Sequence, residues 1–310
     1  MPETAVGRQS GWPRAIGLML VAGVLPVVNP ATVVAIPLGL LALFLPPRPK
    51  LATFGAVLIA ALVMVGIPST GLWYVERGWA LILGGWFLAI TLRWPEGSFI
   101  SRGLAAVGGT FAAMTLLFWS RPGQWAVVDW AVTSRLNEGM ALGLQAVRYT
   151  IGPEALPPGT EARMMELMAL QGLIFPALLG LASLAALGTA WWLFLRLSRA
   201  SQVGIGPLSE FRFNDQLVWV LIAGVLLLLG SSGFLERMGT NAVVFMGALY
   251  AVRGVGVLLV VLGGPTISLN LLFVFFFLIA APLFLTGAFV FGLGDTWLNL
   301  RVRWGPKASE

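Results

Sequence analysis

The 310-residue chain is 58% hydrophobic and 10% charged, with a mean hydropathy of +0.90, a balance that fits a polytopic membrane protein and no water-soluble domain. It contains neither histidine nor cysteine, which excludes zinc, iron–sulfur and His-ligated haem sites, thiol nucleophiles and disulfides. The 13 carboxylates fall in loops, tails or segment ends, against a carboxylate relay through the membrane. The net charge of +6 comes mostly from arginines flanking apolar runs, which suits topology and anionic headgroups and not nucleic acid.

In chain order, Arg8 and Arg14 precede an apolar run over 15–28, and a second run over 31–45 follows Asn29 and Pro30. The first has the charge and apolar core of a signal peptide but no small-x-small cleavage site after it. Both are read as retained membrane segments, two short helices or one helix broken by Pro26, Pro30 and Pro37. A basic turn at 46–50 leads into 51–67, where Ala52, Ala56 and Ala60 recur at the spacing that lets membrane helices approach closely, as Ala31 and Ala35 do upstream, a spacing that also arises by chance in an alanine-rich chain. A fourth segment covers 71–92, with Trp73, Tyr74 and Trp79 at one end and Trp94 at the other marking the interfaces. The basic loop 93–102 separates it from a fifth segment, 103–119.

From 120 to 166 charges of both signs appear, and Trp125, Val128, Val132, Leu136, Met140, Leu144 and Val147 recur at helical spacing. This predicts one amphipathic helix over 122–150, lying on the membrane surface as a seal or a lid over the bundle. The proline-rich 152–159 ends it. Thr160 is then the expected N-cap, with Glu161 in the first turn, of a helix running to Leu195 with a kink at Pro176. A polar, basic loop over 196–214 precedes a span at 215–235, another at 241–264, and an apolar stretch at 267–294 with Pro282 in its middle. The expected fold is all-α: a single membrane-embedded domain over 1–310 with about eight to ten membrane helices and one interfacial amphipathic helix. N-terminal helices occupy 15–119, an amphipathic insert 120–166, and C-terminal helices 167–303. Placing the N-terminus and the loops 46–50, 93–102 and 196–214 in the cytoplasm satisfies the positive-inside rule. The basic tail with Arg301, Arg303 and Lys307 then falls outside, unless 267–294 is two short segments hinged at Pro282.

Within 241–264 stands Arg253, with Met246, Tyr250 and Val257 on its face and Gly247, Ala251 and Gly254 on an adjoining small-residue stripe. A guanidinium in an apolar segment must find acceptors in protein or water. It is either a tie between helices or a site for an anionic ligand, with Tyr250, Asn241 and Asn270 as further polar candidates. At the chain end, Trp297 suits the interface and Arg301 and Arg303 suit anionic lipids, an anchor to which Asp295 contributes nothing. A carboxylate there needs a donor. Arg301, six residues on, is off its helical face, which points to Arg14, Arg196 or Arg199 or to backbone amides.

Three pieces of the C-terminal third carry a family resemblance: Phe211-Arg-Phe-Asn-Asp-Gln-Leu-Val-Trp219, then Asn241 with Tyr250-Ala-Val-Arg-Gly-Val-Gly-Val257, and Leu293-Gly-Asp-Thr-Trp-Leu-Asn-Leu-Arg301. Over 211–303 they resemble the YybS-like family of bacterial multi-pass membrane proteins. Asn299 stands where that family often has an acidic residue, and Arg253 where glutamine is expected. The family is distantly similar to the substrate-binding membrane subunits of energy-coupling-factor transporters. That similarity implies ligand capture in a helical bundle of the bacterial cytoplasmic membrane, with ATP-hydrolysing partner subunits supplying the energy. The expected function is accordingly a transport-associated component binding a small solute. The alternative is a noncatalytic scaffold docking other membrane proteins. An enzyme is not expected, because no serine–base pair, metal ligand set or paired carboxylates are visible, and no cofactor is implied.

Overall fold

The computed structural model describes residues 12–23, 29–45, 49–64, 71–121, 123–152, 159–198, 204–263 and 266–304. Among them every regular element is helical and none is a strand. Five helices are long and apolar enough to cross a membrane: Leu72–Arg93, Phe99–Trp119, Phe175–Ser198, Phe234–Val261 and Ile279–Leu298. Three shorter apolar helices, Pro30–Phe44, Pro49–Leu62 and Asp215–Gly230, accompany them. Within what the sequence reads as a single domain, the chain forms two compact units, Met1–Gly204 and Ile205–Glu310. Arg8, Arg199, Lys307 and the stretches 46–48, 153–158 and 264–265 lie outside the described residues.

The first unit holds α1 (Trp12–Gly23), α2 (Pro30–Phe44), α3 (Pro49–Met64), α4 (Gly71–Arg93), α5 (Phe99–Trp119), α6 (Gln124–Ile151), α7 (Thr160–Leu173) and α8 (Phe175–Ser198). The first two apolar runs form two separate helices. Asn29 caps the second by accepting the Ala31 N–H at 3.0 Å, with Pro30 in the first helical position, where its missing N–H costs nothing. At the centre stands α8, which touches α1, α2, α4, α5 and α7. Its buried Gly180, Ala182, Ser183, Ala185, Ala186, Gly188 and Ala190 let those neighbours approach closely.

Between α2 and α3 the close approach is made by Gly39 and Gly55, where a Cβ at either would press on the other's carbonyl. Of the two readings of the alanine spacing, chance is the one that fits, since Ala56 and Ala60 are exposed. The face of α3 is therefore set by its one glycine and not by the alanine period. The apolar stripe of α6 is present, with Val132 and Leu136 buried against Phe175 and Ala182. The long helix expected from Thr160 is instead two. Gly159, at φ +84, precedes Thr160 as the cap residue, and the helix breaks at Ile174. Pro176 explains the break, since it provides no N–H and its ring would strike the carbonyl four residues back.

The second unit holds α9 (Val218–Gly230), α10 (Phe234–Val261), α11 (Ile267–Leu298) and α12 (Leu300–Trp304). α10 begins seven residues before the apolar run at 241. It forms an antiparallel hairpin with α9, turning at Gly233 (φ +67) and drawn together where Gly224 meets Ala242 and Gly239. α11 bends at Ala280, two residues before Pro282, where the backbone leaves helical geometry (φ −135, ψ 46). The Phe273 and Phe284 rings lie 5.6 Å apart, whereas a straight helix would separate their levels by about 16 Å. α11 is thus two arms meeting at a sharp bend. Asn299 ends it in the left-handed conformation (φ 46), which asparagine tolerates better than most residues, and redirects the chain into α12.

Candidate functional site

The site is built on the upper half of α10, beyond the level at which α9 begins. The polar chain 205–217, with short 3-10 turns at Leu208–Glu210 and Asp215–Leu217, runs along this half instead of a helix. Non-helical backbone at such a place is tolerated because protein covers it. Gly256 makes the crossing feasible, since a Cβ there would run into the Leu208 carbonyl. Met246, Tyr250, Arg253 and Val257 form one face, as their spacing predicts, and each is at most 2% exposed.

Arg253 donates from Nε to Asp295 Oδ2 at 3.1 Å and from Nη1 to Asp215 Oδ1 at 2.5 Å, with the Phe213 ring 5.6 Å from its guanidinium carbon. Asp295 is fully buried, while the Asp215 side chain is 58% exposed. Arg301 lies against the same carboxylate, its Nε 3.6 Å from Asp295 Oδ2. Its remaining nitrogens donate to the carbonyls of Ser209 (2.5 Å), Phe211 (2.9 Å) and Arg253 (3.1 Å). Burial draws the Arg301 guanidinium below its ordinary range, and the neighbouring Asp295 opposes that.

Two guanidinium groups and two carboxylates therefore neutralise one another and join α10, α11, α12 and the chain before α9. The segments 211–219, 250–257 and 293–301 meet here, supplying Asp215, then Tyr250 and Arg253, then Asp295 and Arg301. Chemically the cluster can hold these segments together, with Nε and Nη1 of Arg253 both taken by carboxylates of the chain.

The other candidate residues divide. Tyr250 is fully buried beside Arg253, edge-on to Phe213 and Phe289. Its hydroxyl lies next to that of Thr296, yet neither completes a hydrogen bond, and Asp295 Oδ1 is likewise without one. Asn241 donates to the Arg237 carbonyl (2.8 Å) and stands about 18 Å along α10 from Arg253, outside the cluster. Asn270 is on the other arm of α11, and its side chain lies outside the described residues. Trp297 is 63% exposed, as an interfacial ring would be.

Two expectations are corrected. Arg301 is buried and spends its donors on carbonyls, so it is not a lipid anchor, whereas Arg303 is exposed. Asp295 finds Arg253 on another segment, as expected, but also Arg301, which the phase of a continuous helix forbids. The left-handed turn at Asn299 resets that phase. None of Arg14, Arg196 and Arg199 is needed as its partner.

Sequence reasoning named neither Asp215 nor Arg102 as a site residue. Asp215 was legible as a carboxylate heading an apolar run. Arg102 reads as part of a basic loop, but Ser98 caps a helix from Phe99, which puts Arg102 in its first turns, 2% exposed. Arg102 is thus, like Arg253, a charge buried in an apolar helix. No protein-family model matches the chain, and neither a curated protein nor a solved structure matches it significantly.

Proposed function

We propose that this chain is a noncatalytic multi-pass protein of the bacterial cytoplasmic membrane that serves as a scaffold for other membrane proteins. The observation that carries this reading is the closure of the Arg253 cluster: both carboxylates facing the guanidinium are supplied by the chain itself. A charge so occupied rigidifies a unit and has two of its three nitrogens already committed to the chain's own carboxylates. The resemblance to YybS-like proteins fits such a role, since the residues that carry it are those of the tie.

Ten membrane segments are proposed: the five long helices with α11 counted as two arms, the three shorter apolar helices, and α1. The N-terminus and the loops 46–50, 93–98 and 196–214 are cytoplasmic. The bend in α11 returns the C-terminus to that side, and the hydrogen bonds from Arg301 to the Ser209 and Phe211 carbonyls support that placement. α6 then lies on the outer surface. A cysteine replacing the exposed Gln145 is expected to react with an impermeant maleimide in intact cells; labelling only after permeabilisation would invert the topology.

The transport reading keeps one observation in its favour, the three buried oxygens of Tyr250, Thr296 and Asp295 that complete no hydrogen bond. Arg253→Gln separates the two. A tie loses thermal stability with no small molecule in either form, whereas a transport site loses a co-purifying solute, detected by mass spectrometry, at near-normal stability.

A further inference from the structure

In the first unit, Arg102 is 2% exposed, and its Nε, Nη1 and Nη2 are all without a hydrogen-bond acceptor. Its guanidinium carbon lies 4.7 Å from the Trp191 ring centroid and 5.9 Å from that of Phe87. Ring faces attract a cation, but they are only weak acceptors for the five N–H groups of a guanidinium. No carboxylate among the described residues pairs with it, in contrast to Arg253. Buried donors are nearly always satisfied in folded proteins, so a group with all of them open calls for a partner beyond the described residues.

Three features define that partner. Arg102 lies one turn inside α5, next to the turn from Trp94 to Ser98, where the exposed Arg93 and Trp94 mark headgroup depth. Its stem passes Gly97, where a Cβ would sit 3.6 Å from Cγ and 3.9 Å from Cδ; with no side chain there, the outer torsions have room to turn the guanidinium toward the α4–α5 turn. One helical turn from Phe87, the hydroxyl of Thr91 is also buried without a partner. A planar fork of donors that can turn to headgroup depth matches a phosphate oxyanion.

We propose that Arg102 binds a phosphate group at the end of the α4–α5 hairpin, carried either by an anionic lipid headgroup or by a free phosphate species. The test uses the full chain purified in mild detergent and reconstituted with phosphatidylglycerol, with phosphatidylcholine, or with phosphatidylcholine plus millimolar inorganic phosphate. Lipid retention is read by native mass spectrometry and stability by thermal unfolding. Wild type is expected to retain phosphatidylglycerol and to unfold at higher temperature with it. Arg102→Gln should weaken retention about tenfold or more, the effect of losing a charge-assisted hydrogen bond. Arg93→Gln, an exposed neighbour, should not. A response to inorganic phosphate as strong as that to phosphatidylglycerol identifies a free phosphate as the source; a response to the lipid alone identifies the headgroup.

Should Arg102→Gln fail to fold, Thr91→Val and the wild-type comparison of the two lipids carry the test. Equal retention and equal stability of wild type in all three conditions would overturn the proposal, as would an Arg102→Gln protein that keeps its preference for phosphatidylglycerol.

Discussion

Asp295→Asn is expected to destabilise the protein by about 3–5 kcal/mol, the cost of leaving a buried charge without its counter-ion. Asp295 is fully buried, and Arg253, at 2% exposed, relies on it from a direction no other carboxylate covers. Asp215→Asn removes an ion pair to the same guanidinium, with a shorter contact of 2.5 Å, yet its cost should stay under about 1 kcal/mol, because the Asp215 side chain is 58% exposed and water screens the pair. The ranking is thus opposite to what the distances alone suggest. Chemical or thermal unfolding in detergent micelles measures both. A double variant, Arg253→Gln with Asp295→Asn, should recover part of the loss, since it removes the orphaned charge along with its partner. If Asp215→Asn proves the costlier, the exposed pair organises the cluster and the buried one does not.

The inward face of Arg253 was legible because helical periodicity depends only on sequence: Met246, Tyr250, Arg253 and Val257 share a face at a fixed angle per residue. The demand of Asp295 for a donor was legible for a similar reason, since a carboxylate at an apolar boundary is costly anywhere. What it pairs with was not, because Arg301 reaches it only through the left-handed turn at Asn299, one backbone dihedral that a periodic reading cannot anticipate. The same distinction separates α6 from α3. The stripe of α6 is a strong apolar signal and chose its buried face. In α3 nearly every position is apolar, so packing was decided by which residue lets backbones touch, Gly55, and the alanines had no vote. Arg102 escaped notice because the helix that buries it starts inside what composition marks as a loop.

Gly254→Ala and Gly292→Ala should each destabilise the second unit, by about 3 kcal/mol or more, although alanine is the better helix former by about 1 kcal/mol. The two glycines face each other where α10 and α11 come closest. A methyl on Gly254 would run into the carbonyl of Ala288, and one on Gly292 into the carbonyl of Tyr250. The obstacle in both cases is backbone, which no rotamer change can clear, so the helices themselves must separate. That separation would also lengthen the contact between Arg253 on α10 and Asp295 on α11, so the steric and electrostatic losses arrive together. Gly247, on the same small-residue stripe of α10, is the control: a Cβ there meets nothing within 4 Å. Gly247→Ala should therefore leave stability unchanged or raise it by up to about 1 kcal/mol. Unfolding measurements on the three variants give a sign for each. A Gly254→Ala protein as stable as Gly247→Ala would mean that the α10–α11 contact is not as close as the backbone places it.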